Sequence, residues 1–377
     1  MQKIPGPRGP TLAPGLDDII VAQTALSQVD GENGRLVVRG HDIETLAGEM
    51  PFEALCGLLW EGALPDPART RMLRRGLAEG RMRAFDQRWR LGAALEAGDA
   101  MDALRAATAT LEAGPAATSE TRLRLTGALA VFAAGWVRRQ AGLSPLPPDP
   151  DLGHAADLLR MIHGERVDAA REAALDCYLV TVAEHGMNAS TFTARVVAST
   201  ESDPVSAVVA AIGSLKGPLH GGAPGPVLDM LDAIAAPEAA EAWIRGELDA
   251  GRRIMGLGHR IYRVRDPRAA VLERAVARLE EAGIDSPYLE RARSVEKVAV
   301  QVLAERYPGR SLDTNVEFYT AVLLDVLGIP RRLFTPVFGC ARVAGWLAHV
   351  AEQGESGRIM RPRQQYTGTL PPAPPAA

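Results

Sequence analysis

Apolar residues recur at three- and four-residue spacing through almost the whole chain, and this periodicity limits the possible folds most strongly. It is clear in PFEALCGLLWEGALP (51–65) and again in SETRLRLTGALAVFAAGWVRRQAG (119–142). Such spacing puts the apolar side chains on one face of an α-helix. The sequence has no long run of β-branched residues in strand-like alternation. It therefore predicts an all-α protein.

Turn-forming residues separate these segments and mark one short β element. SQVDGENGRLVVRG (27–40) carries the turn residues DGENG between two apolar runs, which predicts a short N-terminal β-hairpin. Asp42 and Pro51 stand where helices commonly begin, and the Pro-dense segment 143–151 predicts a rigid connection. At 377 residues the chain exceeds the usual size of one hydrophobic core, so we expect two domains.

The charge balance gives no electrostatic reason to expect a nucleic-acid or membrane partner. The formal net charge is -4, and hydrophobic residues make up 47% of the chain, which is ordinary for a globular protein. The most apolar long stretch, 125–137, is too short to cross a bilayer and has Arg on both sides. Pro and Gly interrupt residues 1–15, where a signal peptide needs an apolar run. We therefore expect a cytoplasmic protein.

One candidate catalytic histidine lies in a glycine-rich break, GPLHGGAPG (217–225). The glycines around His220 let a ligand approach the backbone closely. A nearby helix N-terminus would disfavour an imidazolium ion and leave a neutral ring that donates one hydrogen bond. On the other interpretation the glycines only end a helix and His220 has no function. The pattern alone supports both interpretations about equally.

A second candidate lies in GLGHRIYRVRDPRA (256–269), where His259 is followed by several cations. Asp266 and Pro267 predict a helix N-terminus, as N-cap and first helical residue. Arg268 would then be held near that N-terminus, where it could bind a carboxylate with two hydrogen bonds. The alternative is a solvated basic face, which is the more common role of such an arginine run.

Two charged residues lie in strongly apolar helical patterns. Arg342 lies in FGCARVAGWLAHV, where a buried guanidinium needs a carboxylate or a bound anion as partner. Glu317 lies in NVEFYTAVLLDVLGIP, where a carboxylate must either face water or have a chemical task. The sequence has no metal-ligand spacing, no P-loop and no G-x-G-x-x-G after a strand. These residues suit acid–base chemistry on an anionic carbonyl compound, and no metal site is predicted.

Several longer segments resemble the citrate synthase family, which includes the closely similar 2-methylcitrate synthases. The resemblance runs from about Gly15 to Gly368. It is carried, in the order of the family, by GLDDIIVAQTALSQVDGENGRLVVRGHDIETLA, EHGMNASTFTARVVAST, GSLKGPLHGGAP, MGLGHRIYRVRDPRA, NVEFYTAVLLDVLGIP, TPVFGCARVAGWLAHVAEQ and RIMRPRQQYTG.

The resemblance implies a multi-helix homodimer in which each subunit has two domains. The large domain would comprise 1–220 and 329–377, and a small mobile domain would span 221–328. The small domain would close over oxaloacetate and complete the acyl-CoA site. Residues 369–377, in a Pro-rich tail, would be disordered.

The same resemblance implies a reaction and a set of site residues. Acetyl-CoA, oxaloacetate and water would give citrate and CoA through an enol intermediate, with no cofactor, no metal and no covalent enzyme intermediate. The catalytic residues would be His220, His259 and Glu317. The oxaloacetate-binding residues would be His185, Arg268, Arg342 and Arg361, the last reaching the active site of the partner subunit. The CoA-binding residues would be Arg263 and Lys216.

Glu317 departs from the family, since most members have aspartate at this position as the base that removes the methyl proton. The longer side chain moves the carboxylate by roughly one C–C bond length, enough to damage catalysis unless the backbone compensates. Glu317 is therefore the base of an adjusted site, or it marks a weak or inactive paralogue that serves as a metabolite-binding module. A further alternative is a 2-methylcitrate synthase, because acetyl-CoA and propionyl-CoA differ by one methylene.

Overall fold

A small antiparallel sheet forms the only strands in the described part of the chain. The computed structural model describes residues 13–16, 19–114, 117–221, 224–234, 236–259 and 261–371. Strands β1 (Ser27–Asp30) and β2 (Arg35–Val38) pair in the predicted hairpin, and a third strand, β3 (His41–Asp42), pairs with β2. The hairpin is thus confirmed. The third strand was not predicted, because two residues are too few to show alternation.

Helices account for nearly all other regular structure. Nine of them come first: α1 (Ile43–Leu46), α2 (Phe52–Glu61), α3 (Pro67–Asp86), α4 (Ala100–Ala109), α5 (Ser119–Gln140), α6 (His154–His163), α7 (Ala169–Val182), α8 (Ala189–Ala198) and α9 (Pro204–Leu215). Six more follow: α10 (Pro224–Ala233), α11 (Ala240–Asp249), α12 (Pro267–Glu281), α13 (Leu289–Arg306), α14 (Val316–Val326) and α15 (Phe334–Ser356). Short 3-10 helices occupy Pro14–Leu16, Arg88–Leu91, Ala94–Glu96, Pro237–Ala239 and Arg331–Leu333. The predicted all-α class is confirmed.

Helices α5 and α15 lie at the centre of the core. Helix α5 packs against α3, α4, α6 and α15, while α15 also packs against α7, α8 and α9. The indole rings of Trp136 and Trp346 are almost completely buried, and each donates its N–H to an oxygen, Ala97 O at 2.8 Å and Ser190 Oγ at 3.1 Å. Burying such large rings with their one polar group satisfied stabilises the helix contacts around them.

One segment, Arg331–Glu355, is long and apolar enough to cross a membrane by length and composition alone. Within the fold, however, 94% of the most apolar stretch of this segment is buried. A core helix surrounded by other helices is apolar on all sides for the same reason as a membrane span.

The helices after α9 include a group with its own packing partners, while the division into two domains stays a prediction. Helices α12 and α14 pack against each other, α10 packs against α14, and α11 packs against α13. Helices α12 and α14 also contact α7, so they connect this second group to the first. The boundaries at 221 and 329 remain a prediction. The predicted disordered tail, 369–377, lies mostly outside the described residues; residues 369–371 are exposed and irregular.

Two carboxylates lie where α2 begins, that of Glu53 buried and that of Asp176 half-buried. Oε1 of Glu53 accepts the backbone N–H of His154 at 2.7 Å, and Oδ1 of Asp176 accepts the backbone N–H of Phe52 at 2.9 Å. Burial, and after it the charge of Glu53, raises the pKa of Asp176 well above its usual value. The folded protein therefore favours a neutral Asp176.

We predict that Asp176→Asn stabilises the protein increasingly as pH rises. The pKa of Asp176 is raised in the folded state. Its contribution to the free energy of unfolding is therefore fully present below the pKa of the unfolded chain and is lost as pH rises through the folded-state pKa. Asparagine keeps an acceptor for the Phe52 N–H and carries no charge. Each unit of raised pKa corresponds to about 1.4 kcal/mol in the free energy of unfolding. Urea unfolding at pH 5 and pH 8.5 measures the difference.

Asp203→Asn is the matched control, since Asp203 caps α9 through the Ser206 N–H at 3.0 Å. Partial burial raises the pKa of Asp203, but its hydrogen bonds with Ser206 outweigh this effect and leave it lowered. Its stabilising contribution is lost as pH falls, the opposite sign from Asp176. An equal stabilisation of Asp176→Asn at both pH values would contradict the buried-charge explanation.

Candidate active site

The three candidate histidines lie in loops, and the fold brings them together. His185 follows α7, His220 follows α9, and His259 precedes α12. The rings of His185 and His259 have centroids 5.6 Å apart, and Nε2 of His185 is 3.2 Å from the hydroxyl of Tyr262. His185 is buried and its pKa is well below the usual value, owing to burial and then to positive charge at Arg268. His185 is thus held close to neutral.

The surrounding backbone fixes the tautomer of His259. Its Nδ1 accepts the backbone N–H groups of Ile261 at 3.0 Å and Tyr262 at 3.2 Å. A backbone N–H can only donate, so Nδ1 carries no proton and Nε2 carries the ring's single one. Burial, and then the charge of Arg268, lowers the pKa of His259 to about 4. His259 therefore presents one N–H donor from a neutral ring.

His220 presents the opposite nitrogen. Its Nε2 lies 2.7 Å from Oγ of Ser190 and accepts the backbone N–H of Ser190 at 3.4 Å. Ser190 is in the first turn of α8, so the positive end of this helix faces Nε2. Burial, and then the charge of Arg342, lowers the pKa of His220 to about 4. The helix N-terminus that the sequence analysis expected near His220 is that of α8.

Two buried guanidiniums make this region positive. Arg268 lies at the N-terminus of α12, where Asp266 binds it with two hydrogen bonds of 3.0 and 2.7 Å. The predicted N-cap at Asp266 and first residue at Pro267 are confirmed. Arg342 donates from Nε to the carbonyl of Val182 at 2.6 Å, and burial lowers its pKa to about 10.

These two cations have incomplete partners among the described residues. The Nη atoms of Arg342 form no hydrogen bond there, and Nη1 of Arg268 forms none either. Asp266 is the one carboxylate hydrogen-bonded to either cation among the described residues, while Glu184 and Glu317 act on Arg342 through their charge alone. Buried cations with incomplete hydrogen bonding favour an anionic ligand. Within the described part of the chain Arg342 forms no ion pair, which favours a bound anion over a carboxylate as its partner.

Glu317 lies in the first turn of α14, whose N-cap is Asn315. The side chain of Asn315 accepts the N–H of Glu317 at 3.0 Å and donates to the carbonyl of Gly258 at 2.9 Å, which joins α14 to the His259 loop. Burial raises the pKa of Glu317 to about 7, although Arg268 and then Arg342 act to lower it. Its Oε2 is buried and has no hydrogen-bond partner in the described structure. Glu317 can thus exchange a proton near neutral pH.

A buried polar network behind His185 was not predicted. Oε1 of Glu184 accepts from Oγ of Ser27 at 2.7 Å and from Nε2 of His349 at 3.0 Å. Nη1 of Arg195 donates to Nδ1 of His349 at 3.0 Å, which fixes the tautomer of that ring. The network connects residues more than a hundred positions apart, so no local sequence pattern could have indicated it.

The N-terminal hairpin supports the loop that carries His259. The backbone N–H of Arg263 donates to the carbonyl of Gly31 at 2.9 Å. A Cβ on Gly31 would lie 2.2 Å from the carbonyl oxygen of Ile261, closer than any real contact. A glycine is required here because the two backbones touch.

Three predicted binding residues lie apart from this cluster within the subunit. Arg361 is exposed in an arm that follows α15 and is attached to α8 by a hydrogen bond from the N–H of Met360 to Oγ of Ser199 at 3.0 Å. The Nε of Arg263 is 4.0 Å from a carboxylate oxygen of Glu32 on the surface. Lys216 pairs with Asp102 at 2.6 Å and Asp99 at 3.3 Å. The described residues contain no group of three or more His, Cys, Asp or Glu suited to a metal ion.

Together, the fold and this site define a helical protein with neutral imidazole donors, a carboxylate near neutrality and a positive pocket. Comparison with known proteins identifies its family. A family model described as citrate synthase, C-terminal domain, matches residues 15–363. The citrate synthase of Acidithiobacillus ferridurans is 37% identical over 374 residues, covering 95% of this chain and 96% of the relative. The chain belongs to the citrate synthase family.

Solved structures agree with this assignment over the whole fold. Citrate synthase from Thermotoga maritima MSB8 superimposes with a TM-score of 0.85 at 33% identity, covering 96% of this chain and 97% of that chain. A citrate synthase from Thermoplasma acidophilum, solved as a ternary complex with carboxymethyl coenzyme A and oxaloacetate, gives a TM-score of 0.86 at 25% identity, with 96% and 97% coverage.

We predict that Gly31→Ala loosens the His259 loop. The added methyl group must push the Ile261 carbonyl away, which breaks the hydrogen bond between Arg263 and Gly31. Overpacking of this kind costs about 1–3 kcal/mol. Hydrogen exchange of the peptide covering 259–265 should become about tenfold faster, since one local opening step loses about 1.4 kcal/mol of protection.

Gly246→Ala is the control, because a Cβ at Gly246 in α11 meets no atom within 4 Å. It should leave exchange in the loop unchanged. Equal exchange in Gly31→Ala and wild type would show that the hairpin does not support the loop.

Proposed function

We propose that this protein condenses acetyl-CoA with oxaloacetate and hydrolyses the product to citrate and CoA. One observation carries the proposal: two neutral imidazoles, each with one unoccupied nitrogen in the described structure, and a carboxylate whose pKa is about 7 all lie near the guanidiniums of Arg268 and Arg342. Forming a carbon–carbon bond between two carbonyl compounds needs one base and a hydrogen-bond donor for each carbonyl oxygen. The Thermoplasma acidophilum relative, solved with oxaloacetate and a CoA analogue, supports the choice of substrates.

Oxaloacetate would bind in the positive part of the pocket. Arg268 and Arg342 would contact its carboxylates, and His185 would hold it from the side. Planar guanidiniums bind carboxylates with paired hydrogen bonds and fixed direction. The incomplete hydrogen bonding of these two cations supports this role.

Glu317 would remove a methyl proton from acetyl-CoA while His220 donates from Nδ1 to the thioester oxygen. The methyl protons are weakly acidic, so the base succeeds only if the oxygen is stabilised as the charge develops. A carboxylate with a pKa of about 7 is a stronger base than an exposed one and is still largely ionised at slightly alkaline pH.

The enol carbon would then attack the keto carbon of oxaloacetate. His259 would donate from Nε2 to the keto oxygen as it becomes an alkoxide, and the citryl thioester would form. Water would next attack the thioester carbonyl, the C–S bond would break, and the CoA sulfur would leave with a proton. This sequence needs no cofactor beyond the thioester itself.

Assembly and movement complete the proposal. The small domain, 221–328, would close over the bound oxaloacetate and exclude water before condensation. The exposed arm after α15 supports a homodimer in which Arg361 binds oxaloacetate in the partner subunit's site. Arg263 and Lys216 would bind CoA, although Lys216 must first leave its carboxylate partners. The protein would act in the cytoplasm, without nucleic-acid or membrane partners.

We predict that Glu317→Gln abolishes turnover and that Glu317→Asp retains part of it. The amide cannot accept a proton, and loss of a general base costs about 10²–10⁴-fold in kcat. Aspartate keeps the base but withdraws it by roughly one bond length, for which we expect about a 10²-fold loss. Release of free CoA thiol from oxaloacetate and acetyl-CoA measures all three proteins.

Oxaloacetate binding, measured by calorimetry, is the control, and its affinity should be similar in all three proteins. Parallel assays with propionyl-CoA test for a 2-methylcitrate synthase, which would turn over propionyl-CoA faster than acetyl-CoA. Wild-type protein that binds oxaloacetate but releases no CoA from either thioester would instead be an inactive metabolite-binding paralogue.

We predict that two inactive variants restore activity when mixed. In a heterodimer of one His220→Ala and one Arg361→Ala subunit, an arm acting across the dimer leaves one site intact. That site combines His220 of the Arg361→Ala subunit with Arg361 of the His220→Ala subunit. Random reassociation of a two-fold dimer should then give about one quarter of wild-type activity. Subunits are mixed after reversible dissociation, and CoA release is followed.

The mixture distinguishes the two possible positions of the arm. If Arg361 acted within its own subunit, every site in the heterodimer would lack one residue, and mixing would restore nothing. Each variant reassociated with itself provides the baseline.

A further inference from the structure

Three buried polar atoms without hydrogen-bond partners in the described structure lie where α7 meets α14. They are Oε2 of Glu317, the hydroxyl of Tyr178 and Oγ1 of Thr320. Glu317 and Thr320 are three residues apart on α14 and so lie on one face of the helix. Helix α7, which carries Tyr178, packs against α14.

The surroundings of Tyr178 indicate that Glu317 and Thr320 lie near it. Burial raises the pKa of Tyr178, and the negative charge of Glu317 raises it further. The hydroxyls of Tyr178 and Thr320 face each other, although their geometry falls short of a normal hydrogen bond. Tyr178 and Thr320 are both completely buried.

Such a cluster is unusual in a well-packed core. Most buried polar groups have a partner, and each exception calls for an explanation. The neighbouring hydroxyl of Tyr319 shows the ordinary case, since it donates to Oε2 of Glu296 at 2.5 Å. Three such atoms without partners lie where α7 meets α14, and one of them belongs to the proposed base. They indicate hydrogen bonds that form when the Glu317 carboxylate is placed for catalysis.

We propose that Tyr178 is a positioning residue for Glu317: its hydroxyl donates to Oε2, directly or through one water, and Oγ1 of Thr320 supports the tyrosine. This inference rests on the proposed function, in which Glu317 is the base. A tyrosine hydroxyl has one proton to give, and a carboxylate oxygen can accept it. Oγ1 of Thr320 can in turn donate to the tyrosine oxygen, which completes the set.

This arrangement would compensate for the length of glutamate. Glutamate has one more rotatable bond than aspartate, so its carboxylate needs an additional contact to stay in one orientation. A hydrogen bond to the ionised form also lowers the pKa of the carboxyl group. Tyr178 would thus oppose the effect of burial and keep Glu317 ionised at the working pH.

The charged and titratable groups around Glu317 are few. Helix α12 and its N-cap contribute Arg268 and Asp266, and α15 contributes Arg342. Those on the other helices packed against α14 have other partners: Glu296 of α13 binds Arg265 and Tyr319, and Asp229 and Asp232 of α10 bind Arg331. Cys340 of α15 influences Tyr178. Among the described residues, the phenol of α7 and the hydroxyl of Thr320 are thus neutral donors near Glu317 that have no hydrogen-bond partner of their own.

The test is the pH dependence of kcat/KM in Tyr178→Phe. Its acidic limb reports ionisation of the base, because the imidazoles titrate far lower, at about 4 for His220 and His259. Phenylalanine removes only the hydroxyl, so we expect the limb to move up by about 0.5–1 pH unit. At pH 7 kcat should fall about tenfold and recover partly above pH 8.5, while KM for oxaloacetate changes less than about twofold.

Two further variants separate positioning from general damage. Thr320→Val should move the acidic limb in the same direction by a smaller amount. Thr320→Ser keeps the hydroxyl and should leave the limb at its wild-type position. Tyr319→Phe removes the same atom from the same region, but on the side facing Glu296, and should leave the limb unchanged.

The outcomes are distinct for the inference and for the proposed function. Wild-type turnover with an unmoved limb in both Tyr178→Phe and Thr320→Val, whatever their melting temperatures, overturns the inference alone. Absence of turnover by the wild-type protein at any pH overturns the proposed function and the inference with it. If Tyr178→Phe fails to fold, Thr320→Val and its serine counterpart decide the result.

Discussion

Burial of two guanidiniums, one of which has no hydrogen-bonded carboxylate among the described residues, sets the conditions for the whole site. Arg268 is bound by Asp266, whereas the described residues bind Arg342 through a carbonyl and the face of Phe338, with Cζ 4.6 Å from the ring centroid. Uncompensated positive charge in a core disfavours any further cation nearby. The surrounding imidazoles are therefore neutral, and an anion is the natural ligand.

Neutral rings are useful here only because each has a defined tautomer. Two backbone N–H groups fix the proton of His259, and the N-terminus of α8 fixes that of His220. The same groups would be repelled by a second ring proton. Helix ends and tight turns thus supply directional chemistry without additional charged side chains, as expected where catalysis depends on preorganised dipoles.

The sequence predicted those features that depend on local pattern. Helical periodicity, the hairpin, the Asp266–Pro267 helix start and the placing of His220 and His259 in glycine-rich breaks can be read from short segments. Contacts between distant segments could not be predicted that way: Gly31 against Ile261, Tyr178 against Thr320, and Glu184 with His349. Periodicity shows that a helix face is buried, but not which residue it meets.

The contact between the hairpin and the His259 loop also has a consequence for synthesis of the chain. Gly31 and Ile261 are 261 − 31 = 230 positions apart. At ribosomal rates of roughly 5–20 residues per second, the hairpin emerges roughly 10–50 seconds before the loop that it will support. A nascent chain can therefore form early helices such as α5 long before it can orient His259, whereas the other central helix, α15, is made after this loop. Competence for chemistry is acquired late in folding, after most of the protein is already made.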